Sequence, residues 1–254
     1  MHDTRAELVP ASDDEFAAEV AAQAGELLLA IRAGGPSRDL GDRGDRESNR
    51  LLVDAIRARY RGDAILSEEA ADDLGRLSAS RVWIIDPLDG TREFSEGTRS
   101  DWAVHVALWV DGNIDAAAVA IPARGVVLST TDPPLPRPSD QGRRRRLLVS
   151  RTRPPEAASR VAEAIDAELV PMGSAGAKTA AVVLGEADAY LHSGGQYEWD
   201  SAAPAGVAAA AGLHTSRING DPLRYNQSDP MLPDLLICTT ELAMPILQAL
   251  AQTA

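Results

Sequence analysis

The run Arg81-Val82-Trp83-Ile84-Ile85-Asp86-Pro87-Leu88-Asp89-Gly90-Thr91-Arg92-Glu93-Phe94 constrains this chain more than any other stretch. Val82 to Ile85 is apolar and rich in β-branched residues, the pattern of a buried strand. The strand ends in two carboxylates, a proline, a glycine and a threonine. Pro87 has no N–H and is expected to stop the ladder; Gly90 permits a tight turn, and a short helix is expected to start near Thr91. Two acids three residues apart on such a turn point into one pocket, where they repel unless a cation lies between them. A hard divalent ion suits such oxygen donors, with the Leu88 carbonyl as a further ligand. Beyond it, the amides of Gly90 and Thr91 form an expected anion site. A plain polar turn also uses Asp, Pro and Gly, but it requires neither the buried strand nor the additional acids elsewhere. The aspartyl-phosphate phosphatase loop is excluded by register, because it needs its acids two residues apart.

Length, at 254 residues, suffices for one large or two small domains with a sizeable core. No apolar run reaches the 18 or so residues of a membrane span, and no basic-plus-apolar leader precedes the first helix pattern, so a cytoplasmic location is expected. Cys238 is the single cysteine, which excludes an internal disulfide. A net charge of −13 argues against nucleic acid and anionic membranes as partners, and it requires metal neutralisation for an anionic substrate. Of 25 basic residues 24 are Arg, so Lys178 marks a place that wants a compact ammonium.

Ser12 and Glu15 form an expected capping box ahead of a helix carrying Phe16, Val20, Leu27 and Ile31. The charged segment from Arg38 to Glu47 reads as a mobile loop at the site's edge, followed by a helix with Leu51, Leu52, Ala55, Ile56 and Tyr60. Ala64 to Leu66 is a short strand leading into Ser67-Glu68-Glu69. Trp102 to Thr130 reads as an antiparallel meander with turns at Asp111-Gly112-Asn113 and Arg124-Gly125. Residues 132–146, ending in four arginines, read as an exposed, solvated connection. Strands and helices then alternate: strand 147–150, helix 156–165, strand 168–171, helix 177–184, strand 189–192, helix 202–211. An Asn219-Gly220 hairpin turn, a strand at 235–239 and a helix at 243–251 follow. Alternation of this kind favours α/β layers, giving halves 1–140 and 141–254 that meet at a cleft. Asp200 is expected to cap the helix from Ala202. His105, inside a strand pattern, reads as structural.

Glu68-Glu69 after a strand, the Trp83 to Thr91 run, and Trp199-Asp200 before small residues resemble the signature motifs of the inositol monophosphatase superfamily. The ending Thr91-Arg92-Glu93-Phe94, with Gly173 to Lys178 and Gly220 to Tyr225, resembles its 3′(2′),5′-bisphosphate nucleotidase branch. This resemblance implies an αβαβα layered sandwich, an N-terminal α+β half with a mainly antiparallel sheet and a C-terminal α/β half. It implies a Mg²⁺-dependent, lithium-sensitive phosphatase that removes the 3′-phosphate of 3′-phosphoadenosine 5′-phosphate, or of its sulfated counterpart, in sulfur assimilation. Glu68, Asp86 and Leu88 would hold one Mg²⁺; Asp86, Asp89 and Asp200 a second; Glu68 would help with a third. Asp45 and Thr91 would align and deprotonate the attacking water, and Gly90, Ser174, Lys178 and Glu198 would meet the substrate. Asp42 stands where the family commonly has Thr. Inositol monophosphate or fructose 1,6-bisphosphate are the alternative substrates, and a non-catalytic cation or anion binder is the alternative class. A homodimer is common in the family, and the surface pattern does not itself show one.

Overall fold

The computed structural model describes residues 11–134 and 142–252. α1 (Asp13–Ala33) opens with the expected capping box: the Ser12 amide donates to Glu15 at 2.8 Å and the Glu15 amide to Ser12 Oγ at 3.1 Å. α2 spans Leu40–Arg59, so the charged segment expected to be a mobile loop is the first half of a helix. Its glycines explain the difference, since a Cβ at Gly41 would lie 2.6 Å from Thr91 Cγ2 and one at Gly44 2.9 Å from Leu88. They let the helix press against the acidic turn, with Asp45 buried toward it while Asp42, Arg43 and Arg46 face outward.

β1 (Ala64–Ser67), β2 (Arg81–Asp89), the short α3 (Thr91–Ser95), β3 (Ala103–Val110), β4 (Asn113–Ile121) and β5 (Val126–Ser129) follow. β1 runs parallel to β2, and the rest pair antiparallel in the order β1-β2-β3-β4-β5, the expected meander. β6 (Arg145–Ser150), α4 (Ala158–Ala164), β7 (Ala167–Met172), α5 (Ala175–Val183), β8 (Ala189–Tyr197), α6 (Glu198–Ala210), β9 (His214–Ser216), β10 (Met231–Cys238) and α7 (Thr240–Ala251) complete the fold. Their sheet has the order β7-β6-β8-β10-β9, with β6 parallel to both neighbours and β10 antiparallel to both of its own. Part of the expected 132–146 connection, residues 135–141, lies outside the described residues. Arg143 is not a solvated surface charge: it pairs with the buried Asp188 at 2.7 Å. The Asn219-Gly220 turn sits within a longer connection between β9 and β10 rather than closing a tight hairpin.

Strand alternation sorts the cores into layers. Trp83, Ile85, Val104 and Val106 face α1 and α2, whereas Val82, Ile84, Ala107 and Val119 face α5 and α6. Across that middle layer, Leu148, Tyr190, Leu235 and Ile237 of the second sheet pack on the same helices. Leu147, Val149, Leu191 and Leu236 on its far side pack on α4 and α7. The order is therefore α, β, α, β, α, as expected. Each fully buried Leu or Ile contributes about 1.5–3 kcal/mol to the packing. No helix among the described residues is long and apolar enough to cross a membrane.

Candidate active site

Pro87 does not end β2. The strand continues to Asp89 across a register shift between Asp86 and Asp89, and a bulge is where a strand tolerates a residue without an N–H. Asp86 Oδ1 accepts the Leu88 amide at 3.0 Å, and Ser48 of α2 donates to the Pro87 carbonyl at 2.7 Å. Gly90 is left-handed at φ 88°, and a Cβ there would come within 3.2 Å of Ser174 and of the Asp101 carbonyl. α3 begins immediately afterwards, and Thr91 donates to the Leu88 carbonyl at 3.1 Å.

This geometry brings Asp86, Asp89 and Asp200 together, with one carboxylate oxygen from each lying within 4.8 Å of the others. Asp200 arrives as the third residue of α6, not as the cap of a helix starting at Ala202, and its carboxylate accepts the Tyr197 amide at 2.7 Å. Burial, then repulsion from Glu68, Asp89 and Asp200, holds Asp86 well above the usual carboxylate range. Burial and Asp89 push Asp200 up to about 6. The Glu68 residue is solvent-accessible, yet its carboxyl is raised to about 7, by burial first and then by Asp200 and Asp89. Asp45, reaching in from α2, is raised to about 8 by burial and by Glu69 and Glu68, against a lowering hydrogen bond with Thr91.

Asp89 behaves oppositely. Burial would raise it, but His105, Lys178 and Ser174 outweigh that and lower it. Its Oδ2 accepts Ser174 Oγ at 2.5 Å and the Gly176 amide at 2.7 Å, and lies 3.2 Å from His105 Nε2. His105 is fully buried, with Nδ1 3.0 Å from the Trp199 carbonyl oxygen. It therefore stands beside the acids, although the strand pattern alone made it structural. Counting along the meander places it directly opposite Asp86, which is the signal that finds it.

The remaining expected substrate residues are placed as follows. Ser174 caps α5 and binds Asp89. The Lys178 ammonium is buried on the carbonyls of Ser174 at 2.7 Å, Gly173 at 3.0 Å and Met172 at 3.4 Å. Burial lowers it to about 8. Glu198 is turned from the acids altogether, with its two oxygens accepting the amides of Asn226 at 2.6 Å and Gln227 at 2.7 Å. A pocket of about 230 Å³ opens beside Gly90 and Thr91, and Arg92, Arg151, Arg153 and Lys178 also line it. Arg151 is committed to Glu93 and Glu96, whereas no ion pair is seen for Arg153 among the described residues.

Two buried carboxylates and a half-buried third, with Glu68 beside them and three of the four held at raised pKa by mutual repulsion as well as burial, form a hard oxygen donor set that fits a divalent cation. The model described as "Inositol monophosphatase family" matches residues 10–253. A 3′-phosphoadenosine 5′-phosphate phosphatase of Mycobacterium leprae is 53% identical over 260 residues, covering 97% of this chain and 96% of that protein. The 3′(2′),5′-bisphosphate nucleotidase CysQ of Escherichia coli K12 is 29% identical over 237 residues, covering 84% and 94%. Among solved structures, an inositol monophosphatase from Zymomonas mobilis shares the fold with a TM-score of 0.76 at 19% identity, covering 94% of this chain and 97% of that one. CysQ from Bacteroides thetaiotaomicron gives 0.73 at 24% identity, covering 88% and 96%. On sequence and on architecture alike, the chain belongs to the inositol monophosphatase family.

Proposed function

We propose that this protein is a Mg²⁺-dependent, lithium-sensitive phosphatase that hydrolyses the 3′-phosphate of 3′-phosphoadenosine 5′-phosphate to give AMP and phosphate. The observation that carries the reading is the convergence of Asp86, Asp89 and Asp200 beside a cationic pocket, in a chain more than half identical to the mycobacterial phosphatase. Asp86, Asp89, Asp200, Glu68 and the Leu88 carbonyl would hold two or three Mg²⁺ ions. Bound magnesium supplies Lewis acidity and a clamp on the phosphoryl oxygens.

The chain's own residues do the rest. Asp45, raised to about 8 beside Thr91, holds or accepts the proton of the attacking water through the Thr91 hydroxyl. His105, Ser174 and the Gly176 amide gather on one oxygen of Asp89, fix it in its ionised form and leave the other without these donors. Lys178 braces the 172–174 carbonyls and adds positive charge next to Asp89. Arg153, lining the pocket beyond Thr91, meets the second phosphate, a dianion that a guanidinium pairs with well.

The test compares kcat/KM for 3′-phosphoadenosine 5′-phosphate, inositol 1-phosphate and fructose 1,6-bisphosphate at saturating Mg²⁺, with and without Li⁺. The nucleotide should be preferred and its turnover suppressed by Li⁺. Preference for inositol 1-phosphate would overturn the substrate while leaving the chemistry in place.

A further inference from the structure

Ten aromatic residues are spread along this chain, and in the structure nine of them are buried or half-buried. The exception is Tyr197, 42% exposed at the junction of β8 and α6. Its ring is stacked on Trp199, with centroids 4.8 Å apart and planes 10° from parallel. Trp199 in turn packs on the core shared by the two sheets. One face of Tyr197 is thus backed by a rigid indole, and Met231, its cross-strand partner on β10, is 50% exposed beside it. The platform is tied to the acids, because the Tyr197 amide donates to Asp200 and the Trp199 carbonyl contacts His105. Tyr197 therefore stands at the N-cap of α6, three residues before Asp200, a carboxylate of the cluster.

We infer that the outer face of Tyr197, backed by Trp199 and flanked by Met231, is the stacking platform for the substrate's nucleobase. This rests on the nucleotide reading above and adds the residue that distinguishes a nucleotide from a bare sugar phosphate. A preformed aromatic shelf costs little ordering on binding, and base–aromatic stacking tolerates any base because every base has a π-face. The shelf senses that a base is present rather than which base it is.

The experiment measures kcat/KM of wild type, Tyr197→Ala and Tyr197→Phe on 3′-phosphoadenosine 5′-phosphate and on the abasic sugar 3,5-bisphosphate. Tyr197→Ala should shrink the nucleotide-over-abasic preference by about tenfold, chiefly through KM, as expected for loss of one stacked base. Tyr197→Phe, which keeps the ring, should retain the preference. Equal losses on both substrates, or an unchanged preference in Tyr197→Ala, would overturn the platform alone. A wild-type enzyme that turns over neither compound would overturn the nucleotide reading and the platform with it.

Discussion

Ser174 Oγ lies 2.5 Å from Asp89 Oδ2, and this one hydrogen bond joins the end of a strand in the first sheet to the first turn of a helix in the middle layer. With the Gly176 amide at 2.7 Å it saturates one oxygen of Asp89, the carboxylate that clusters with Asp86 and Asp200.

Asp89→Asn should therefore fold but fail. The asparagine oxygen still accepts from Ser174 and Gly176, while its NH₂ replaces the oxygen offered to a cation. Phosphate release should fall by more than the roughly 10–100-fold typical of an outer-shell loss, and calorimetry should show no high-affinity Mg²⁺ heat. Wild-type-like turnover in this variant would remove Asp89 from the metal set.

Metal-free stability should fall as pH rises from 6.5 to 8. Asp45, Asp200 and Glu68 titrate in the fold at about 8, 6 and 7, all above their ordinary values. A group raised in this way favours folding while protonated, and that contribution is lost as pH passes through the folded pKa. His105, also raised because Asp89 outweighs its burial, acts in the same direction. His192, lowered by burial to about 4, and Lys178, lowered by burial to about 8, act oppositely, but most of the first effect lies below pH 6.5 and most of the second above pH 8. Melting curves in chelator should shift down across this window, and excess Mg²⁺ should flatten the dependence by taking the protons' place. A melting temperature that rises with pH in chelator contradicts the assignment.

Gly176→Ala should damage the site by overpacking. The added methyl would stand 2.2 Å from His105 Nε2 and 2.8 Å from Ala103 Cβ, neither of which has space to withdraw in the core. A loss of about 1–3 kcal/mol in urea unfolding is expected, with kcat reduced because His105 is pushed off Asp89.

Glu198→Gln separates a structural role from a substrate role. Two amides of the 226–227 loop depend on this carboxylate, so the variant should lose about 1–3 kcal/mol in stability while KM for the nucleotide stays near wild type. A raised KM with unchanged stability would restore Glu198 to the substrate.

Arg153→Gln should raise KM for the bisphosphate by about tenfold and leave a nucleoside 2′-monophosphate almost unaffected, since the guanidinium has only the second phosphate to meet. Steady-state kinetics on the two substrates decides it.

Most of this was legible in the sequence. The apolar, β-branched run from Val82 to Ile85 and the alternation through the meander point to the first sheet, and the acids at strand ends to the cluster. The errors have local causes. Arg38 to Glu47 looked like a loop because its charges and two glycines weaken helix propensity, yet those glycines are what let α2 lie against Leu88 and Thr91. α6 starts at Glu198, four residues before the small-residue run from Ala202 that dominates the pattern, and Pro204 in its second turn obscures the helix further. Lys178 is legible as a special position and Glu198 as a candidate substrate contact, but neither in orientation, because the loop amides and carbonyls that satisfy them come from backbone that periodicity does not describe. His105 required knowing which strand pairs with which.

The sharing of Asp89 between β2 and α5 sets an order of events at birth. A chain emerging from the ribosome makes Asp45, Glu68, Asp86 and Asp89 long before Ser174, Gly176 and Lys178, whose donors and charge make burial of Asp89 tolerable. The early acids must stay hydrated until α5 has left the exit tunnel, so maturation of the catalytic centre belongs to the last third of translation.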